Sequence, residues 1–358
     1  MITADDIRPG VYLNLPEDVY FSVDALGSSD LKTLYRDPSS WWYGSRHNPD
    51  RVEPERERYL NIGSALHALL LEGENAYRGR FCIEPQPSPD LAKTVGDITA
   101  LLTGAGVEIP NKALKGELVK LAGDNGLGDR VWDYVRGDFL FQQTRGKIPL
   151  TAREDRAIRQ MAALIELHPE IGESLRGALR EVSVFWRDGD VMLRARFDGL
   201  TPAWIADIKS ISGWQGRTLA HMVARQIVEM DYMLQRAHYE VARREMRGFI
   251  LEGHVHGADD QQADILREIA ARDTWRWVWI FQRVRDDAQK RPKSPIVVPR
   301  FHDPVGEAFD MQFERIQQAL TNYRSYRDTV GFDTPWMEAL PVEEITDEDL
   351  AAAGIHYR

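Results

Sequence analysis

Apolar and polar positions alternate along "EVSVFWR", "VMLRARFD" and "WIADIKSI", which begin at Glu181, Val191 and Trp204. This period of two predicts three strands, and the short connections at 188–190 ("DGD") and 199–203 predict an antiparallel meander. Upstream the period is helical. Leu31, Leu34 and Tyr35 follow Ser28 or Ser29 as an N-cap, with Pro38 ending that helix, and Ile62, Leu66, Leu69 and Leu70 form the apolar face of a second helix that also carries His67. Thr151 with Glu154 reads as a capping box opening the helix "TAREDRAIRQMAALIEL". Downstream, a long helical stretch at about 218–247 precedes two strands, "TWRWVWIFQRV" and "SPIVVPRF", and a last helix at about 305–327. Helices, a strand cluster, a helix and further strands predict an α/β fold with a central mixed sheet flanked by helices.

The chain shows no internal repeat, low-complexity tract or long linker, so its 358 residues read as one elaborated domain. Its parts are N-terminal helices at 20–85, a helical insertion at 86–178, the sheet with its helices at 179–330, and a tail at 331–358.

Charge and cysteine content narrow the chemistry. A net charge of -11 argues against a protein that simply coats DNA, whose affinity comes from Lys and Arg on phosphates. It leaves room for an enzyme on DNA, because metal-binding carboxylates count as negative until cations arrive. The one cysteine, Cys82, excludes an internal disulfide and a four-cysteine zinc or iron–sulfur site. Any metal is therefore held by carboxylate, imidazole or backbone oxygen, a donor set that suits Mg2+, with Mn2+ as the alternative. No run approaches the roughly 20 apolar residues of a membrane span, and the start has neither a basic nor an apolar leader region, which predicts a cytoplasmic location.

The strand "WIADIKSI" poses the chemical question. Ile205, Asp207, Lys209 and Ile211 share one face and Trp204, Ala206, Ile208 and Ser210 the other, so a strand apolar on both sides carries an acid and a base. Isolated charges are costly to bury, so both need partners. Asp198 ends the preceding strand, close enough through the intervening loop to lie beside Asp207. Two such carboxylates repel unless a proton or a divalent cation lies between them. On this basis Asp207→Ala is expected to relieve repulsion and leave folding intact. A sheet-edge ion pair, with Asp198 as a turn residue, is the competing local account.

Four motifs occur in order around this strand: "GSALHALLLE" (63–72), Asp198, "DIK" (207–209) and "QRAHY" (235–239). Together with "SSDLKTLYRDPSSWWY" they resemble the PD-(D/E)xK nuclease superfamily, specifically the RecB-like exonucleases nearest exonuclease VIII. The similarity extends in patches over about 20–300. The resemblance implies a restriction-endonuclease-like core and a magnesium-dependent exonuclease that degrades double-stranded DNA from its ends in recombination or repair. It further implies a ring-like homo-oligomer working beside a phage-type single-strand annealing protein. Carried over by position, His67, Asp198, Asp207 and the Ile208 carbonyl would ligate metal, Lys209 would assist the attacking water, and Gln235 and Tyr239 would hold Lys209 or a DNA phosphate. Asp207 stands where many relatives have Glu.

Further candidates come from the residues themselves. Glu72 and Glu181 are possible additional acids. Arg56, Arg58 and neighbouring Arg51 could meet DNA phosphates or pair with the interleaved Glu53, Glu55 and Glu57, and Lys290, Arg291 and Lys293 form a second basic stretch. Trp41, Trp42 and Tyr43 suit core packing better than base stacking. "HVH" (254–256) reads as an exposed Gly-rich loop. Rival functions within the same reading are a structure-specific endonuclease and a non-catalytic DNA-binding or assembly protein.

Overall fold

The computed structural model describes residues 2–52, 58–211, 218–283, 297–302, 306–337 and 346. Nine strands form among them. They are β1 (Gly10–Tyr12), β2 (Phe81–Glu84), β3 (Ile148–Thr151), β4 (Leu179–Asp188), β5 (Val191–Leu200), β6 (Trp204–Ile211), β7 (Val255–His256), β8 (Arg276–Arg283) and β9 (Val297–His302). Seven of them build one sheet in the order β7-β1-β4-β5-β6-β8-β9, and β2 pairs with β3 apart from it. The predicted meander is β4-β5-β6, antiparallel throughout, while β6 runs parallel to β8. The sheet is therefore mixed, and a parallel neighbour requires the crossover that the intervening helices supply.

Strand β6 lies between two apolar layers because its residues are apolar on both faces. On one face Ile205 and Ile211 join Phe197 and Trp277 against Leu234 and Ala237 of the Tyr232–Glu252 helix and Leu320 of the Glu307–Thr329 helix. On the other, Ala206 and Ile208 join Val278 and Ile280 against Leu66, Leu70, Ile158 and Ile165. Burying each Ile or Leu contributes roughly 1.5–3 kcal/mol. Asp207 and Lys209 are thus held in a strand that cannot turn over without exposing a core.

Several local details differ from the sequence expectation. Gly27, not Ser28 or Ser29, caps the Ser28–Arg36 helix, with the Gly27 amide donating to Asp30 Oδ2 at 2.8 Å. The long helical stretch breaks at Asp231, whose φ of 54° is left-handed, into Leu219–Glu229 and Tyr232–Glu252. "HVH" supplies the edge strand β7 rather than a loop, and His256 stacks on Tyr12 with ring centres 4.5 Å apart. The capping box at Thr151 is present, its amide donating to Glu154 Oε2 at 2.8 Å and its Oγ1 accepting from the Glu154 amide at 3.2 Å. The helix it opens, Ala152–Leu167, falls within the segment 86–178 that the sequence assigns to the insertion. It packs instead through Ile158, Met161 and Ile165 onto the sheet. The helical segment with a core of its own, including Ile98, Leu102, Leu118 and Val131, is enclosed between β2 and β3. Trp41 and Trp42 are buried and Tyr43 exposed. Among the described residues no helix is long and apolar enough to cross a membrane.

Candidate metal centre and active-site cleft

The meander brings three acids to neighbouring strands. Arg180 pairs with Gly199 and Val182 with Phe197, which sets Glu181 of β4 opposite Asp198 of β5. The β5–β6 register pairs Gly199 with Ala206 and Leu200 with Ile205, then stops one step short of Asp198 and Asp207. Where the ladder ends, Asp198 Oδ2 accepts from the Ile208 amide at 2.7 Å, so a side chain replaces a strand–strand hydrogen bond and the two strands part. Gly199 eases this approach, since a Cβ there would lie a tight 3.2 Å from the Ala206 Cβ and 3.1 Å from Leu175 Cδ2.

His67 enters from the opposite layer. It ends the Arg58–His67 helix, where the backbone widens into a π-helical turn at Ala68–Glu72, a distortion that recurs at functional sites. His67 Nε2 lies 3.1 Å from the Ile208 carbonyl and Nδ1 lies 3.9 Å from Asp198 Oδ2. When Nε2 carries the proton and donates to that carbonyl, Nδ1 and the carboxylate are two acceptors facing one another with no proton between them. Ligand atoms of His67, Glu181 and Asp198 all lie within 4.8 Å of one another. This convergence of one imidazole and two carboxylates fits a divalent cation.

Glu181 reaches the group at a cost. Its φ of 53° is left-handed in the middle of a strand, which costs a side-chain-bearing residue roughly 1–2 kcal/mol. Burial, and then the charge of Asp198, raise its carboxyl from 4.5 to about 8, against the pull of Arg196, whose Nη1 is 3.6 Å away. A carboxyl raised in the folded state is stabilising while protonated. Its contribution to the metal-free protein is therefore complete below about 4.5 and is lost as pH rises through about 8. Thermal unfolding in chelator is expected to show a midpoint that falls across this interval for the native chain and stays flatter for Glu181→Gln. An equal slope in both proteins would assign the pH dependence to another group.

Asp207 and Lys209 occupy a separate layer of the site, towards the Tyr232–Glu252 helix. Asp207 Oδ1 accepts from Lys209 Nζ at 2.8 Å and from Gln235 Nε2 at 3.1 Å. The Asp207 side chain is 4% exposed, and among the described residues its Oδ2 has no hydrogen-bond partner, an orphaned acceptor of the kind that a cation satisfies. Burial raises the Asp207 carboxyl, with Lys209 opposing. Burial also works to lower the Lys209 ammonium, but Asp207 and then Asp198 outweigh it and hold it above its usual value. Lys209 is consequently held in its charged form.

The other expected residues fall around this pair. Gln235 holds Asp207 rather than Lys209, and Tyr239 lines the cleft while packing edge-on against Phe197 and Trp277. Asp231 fixes the helix break that aims both, accepting from Arg315 Nη1 at 2.8 Å and from Arg36 Nη2 at 3.1 Å. Glu72 lines the cleft but is bound to Arg80, which also binds Glu17. Arg58 opens its helix, and its side chain, like Arg56, Lys290, Arg291 and Lys293, lies outside the described residues. The candidate metal group in the structure therefore includes Glu181 with His67 and Asp198, and Asp207 lies beside it, facing Lys209 and Gln235. His67, Glu181, Asp198, Ile208, Lys209, Gln235 and Tyr239 border one cleft of about 1000 Å³. Lys32, in that cleft wall, was not singled out from the sequence, where nothing distinguishes it from a surface lysine.

A mixed sheet whose central strands part around clustered acids and a lysine defines an α/β protein with the PD-(D/E)xK restriction-endonuclease-like core. The chain belongs to the family described as "PDDEXK-like domain of unknown function (DUF3799)", whose model matches residues 29–278 and so spans every residue of the site. A solved structure from Eubacterium rectale named "Putative exonuclease" aligns with 95% of this chain and 99% of that chain, at 13% identity and a TM-score of 0.43. No curated protein matches the sequence.

Proposed function

We propose that this protein is a magnesium-dependent deoxyribonuclease that degrades linear double-stranded DNA from its ends. The observation that supports the reading most directly is the meeting of His67, Glu181 and Asp198 within 4.8 Å, beside the Asp207–Lys209 pair. His67, Glu181 and Asp198 would hold the cation, with the Ile208 carbonyl at their edge. A bound divalent cation supplies Lewis-acid polarisation of the phosphodiester and activation of water.

The chain's own residues supply position and charge. Lys209, kept protonated by Asp207, donates towards the negative charge that grows on the phosphoryl oxygens. Asp207 fixes the ammonium, and Gln235 fixes Asp207, so the donor is in place before the substrate arrives. The buried sheet behind them limits water to the cleft side, which strengthens these interactions. The end-dependence of the proposed reaction follows the sequence resemblance to RecB-like exonucleases.

Incubation of end-labelled linear duplex and of closed circular duplex with the purified chain and magnesium tests both parts. Release of nucleotides from the linear DNA alone is expected, and chelator is expected to stop it. Cleavage of the closed circle would replace the exonuclease reading by an endonuclease, and no magnesium-dependent cleavage of either would remove the nuclease reading.

A further inference from the structure

Among the described residues, six lysines and arginines border the cleft: Lys32, Arg80, Arg194, Arg196, Lys209 and Arg225. Five have a carboxylate at ion-pair distance. Arg80 is bound to Glu17 and Glu72, Arg225 to Glu229 and Lys209 to Asp207, while Arg194 lies 3.9 Å from Asp30 and Arg196 lies 3.6 Å from Glu181. Arg194 and Arg196 are further occupied, Arg194 Nη1 donating to the Tyr20 carbonyl at 2.9 Å and Arg196 Nε to Ser183 Oγ at 2.8 Å. Among the described residues, Lys32 is the one cation of the cleft without a carboxylate partner.

Its surroundings make that absence costly. Lys32 Nζ donates to the Met230 carbonyl at 2.8 Å and sits 5.4 Å from the centre of the Tyr232 ring, over which Lys209 Nζ also lies, at 4.9 Å. Burial, and then Lys209, lower the Lys32 ammonium to about 8 against the opposing charges of Asp231 and Asp207, so it is still charged at neutral pH. An ammonium has three donors. One is spent on Met230 and the neutral ring face takes no full hydrogen bond, which leaves donor capacity facing the cleft. A half-buried charge with spare donors, beside a lysine that faces the reacting group, calls for an anion.

We propose that Lys32 binds a non-bridging oxygen of a backbone phosphate next to the scissile one, so that the cleft holds a nucleic-acid strand at two consecutive phosphates, one at Lys209 and one at Lys32. The proposal rests on the nuclease reading and adds to it a strand-binding contact from the N-terminal Ser28–Arg36 helix. It predicts that Lys32 governs substrate affinity, not the chemical step.

The test compares the full chain with Lys32→Met, which keeps the aliphatic stem, and with Lys32→Arg, which keeps the charge. In cleavage of linear duplex with magnesium, Lys32→Met is expected to raise KM roughly 10-fold, the loss of one charge-assisted contact, with kcat within about 3-fold. In metal-free equilibrium binding of a single-stranded 20-mer, the slope of log K against log salt is expected to fall by about 0.7 for Lys32→Met, and Lys32→Arg is expected to recover most of the slope and of KM. The thermal midpoint of Lys32→Met is expected to equal or exceed that of the native chain, since an unpaired charge has been removed. An unchanged KM and salt slope in a native chain that cuts and binds DNA would overturn the Lys32 assignment alone. So would a collapse of kcat at unchanged affinity, or a lowered thermal midpoint at unchanged slope, the mark of a lysine that merely anchors Met230. A native chain that neither cuts nor binds nucleic acid would overturn this assignment and the nuclease reading together.

Discussion

Replacing Asp207 by alanine is expected to reduce cleavage roughly 10²–10³-fold or more, by freeing the Lys209 donor from its position, and also to destabilise the protein by about 3–5 kcal/mol. The sequence alone pointed to the opposite sign for stability, because two adjacent aspartates suggest repulsion that a deletion relieves. The structure pairs Asp207 with Lys209 at 2.8 Å, with the Lys209 side chain 17% exposed, so deleting the acid strands a mostly buried ammonium. Urea unfolding of the metal-free protein measures this directly. The double replacement Asp207→Leu with Lys209→Met removes both charges together and is expected to recover most of the lost stability while remaining inactive. Alanine at 207 with native stability would mean that the pair is not the buried contact described.

Replacing Asp198 by alanine is expected to abolish divalent-metal binding and, with it, cleavage. Asp198 is at the centre of the group, tied to the Ile208 amide, 3.9 Å from His67 Nδ1 and opposite Glu181 in the strand register. Loss of a residue that merely orients a ligand typically costs 10–100-fold in metal affinity, so loss of the central ligand is expected to exceed about 100-fold. Calorimetric titration with magnesium or manganese gives the affinity apart from catalysis. The same measurement separates two ligand sets. With Glu181 in the group, Glu181→Gln lowers metal affinity more than Asp207→Asn does, whereas the set inferred from the sequence resemblance, His67 with Asp198 and Asp207, demands the reverse order.

Much of the fold was readable because its signals are local. The alternation in β4, β5 and β6, the capping box at Thr151 and the apolar helix bearing His67 each depend on neighbours a few residues away. The helix break at Asp231 was not, since a left-handed aspartate is fixed by Arg36 and Arg315, which are distant in sequence. The π-helical turn after His67 was equally hidden, because "ALHALLLE" satisfies an α-helical pattern too. The edge strand at Val255 depends on β1 for its pairing, and β1 is a three-residue strand near the other end of the chain.

The sequence by itself determined the strand order of the meander, the candidacy of His67, Asp198, Asp207 and Lys209, and the oxygen-rich character of any metal site, since these follow from residue type and short-range spacing. Only the tertiary structure decided which acids meet. Glu181 meets His67 and Asp198, and Asp207 turns to Lys209 and Gln235, because the β5–β6 ladder opens at Asp198, and a carboxylate takes whatever hydrogen bond and charge lie within a few ångströms of it. For the same reason Lys32 stood out only once every other described cation of the cleft had found its carboxylate.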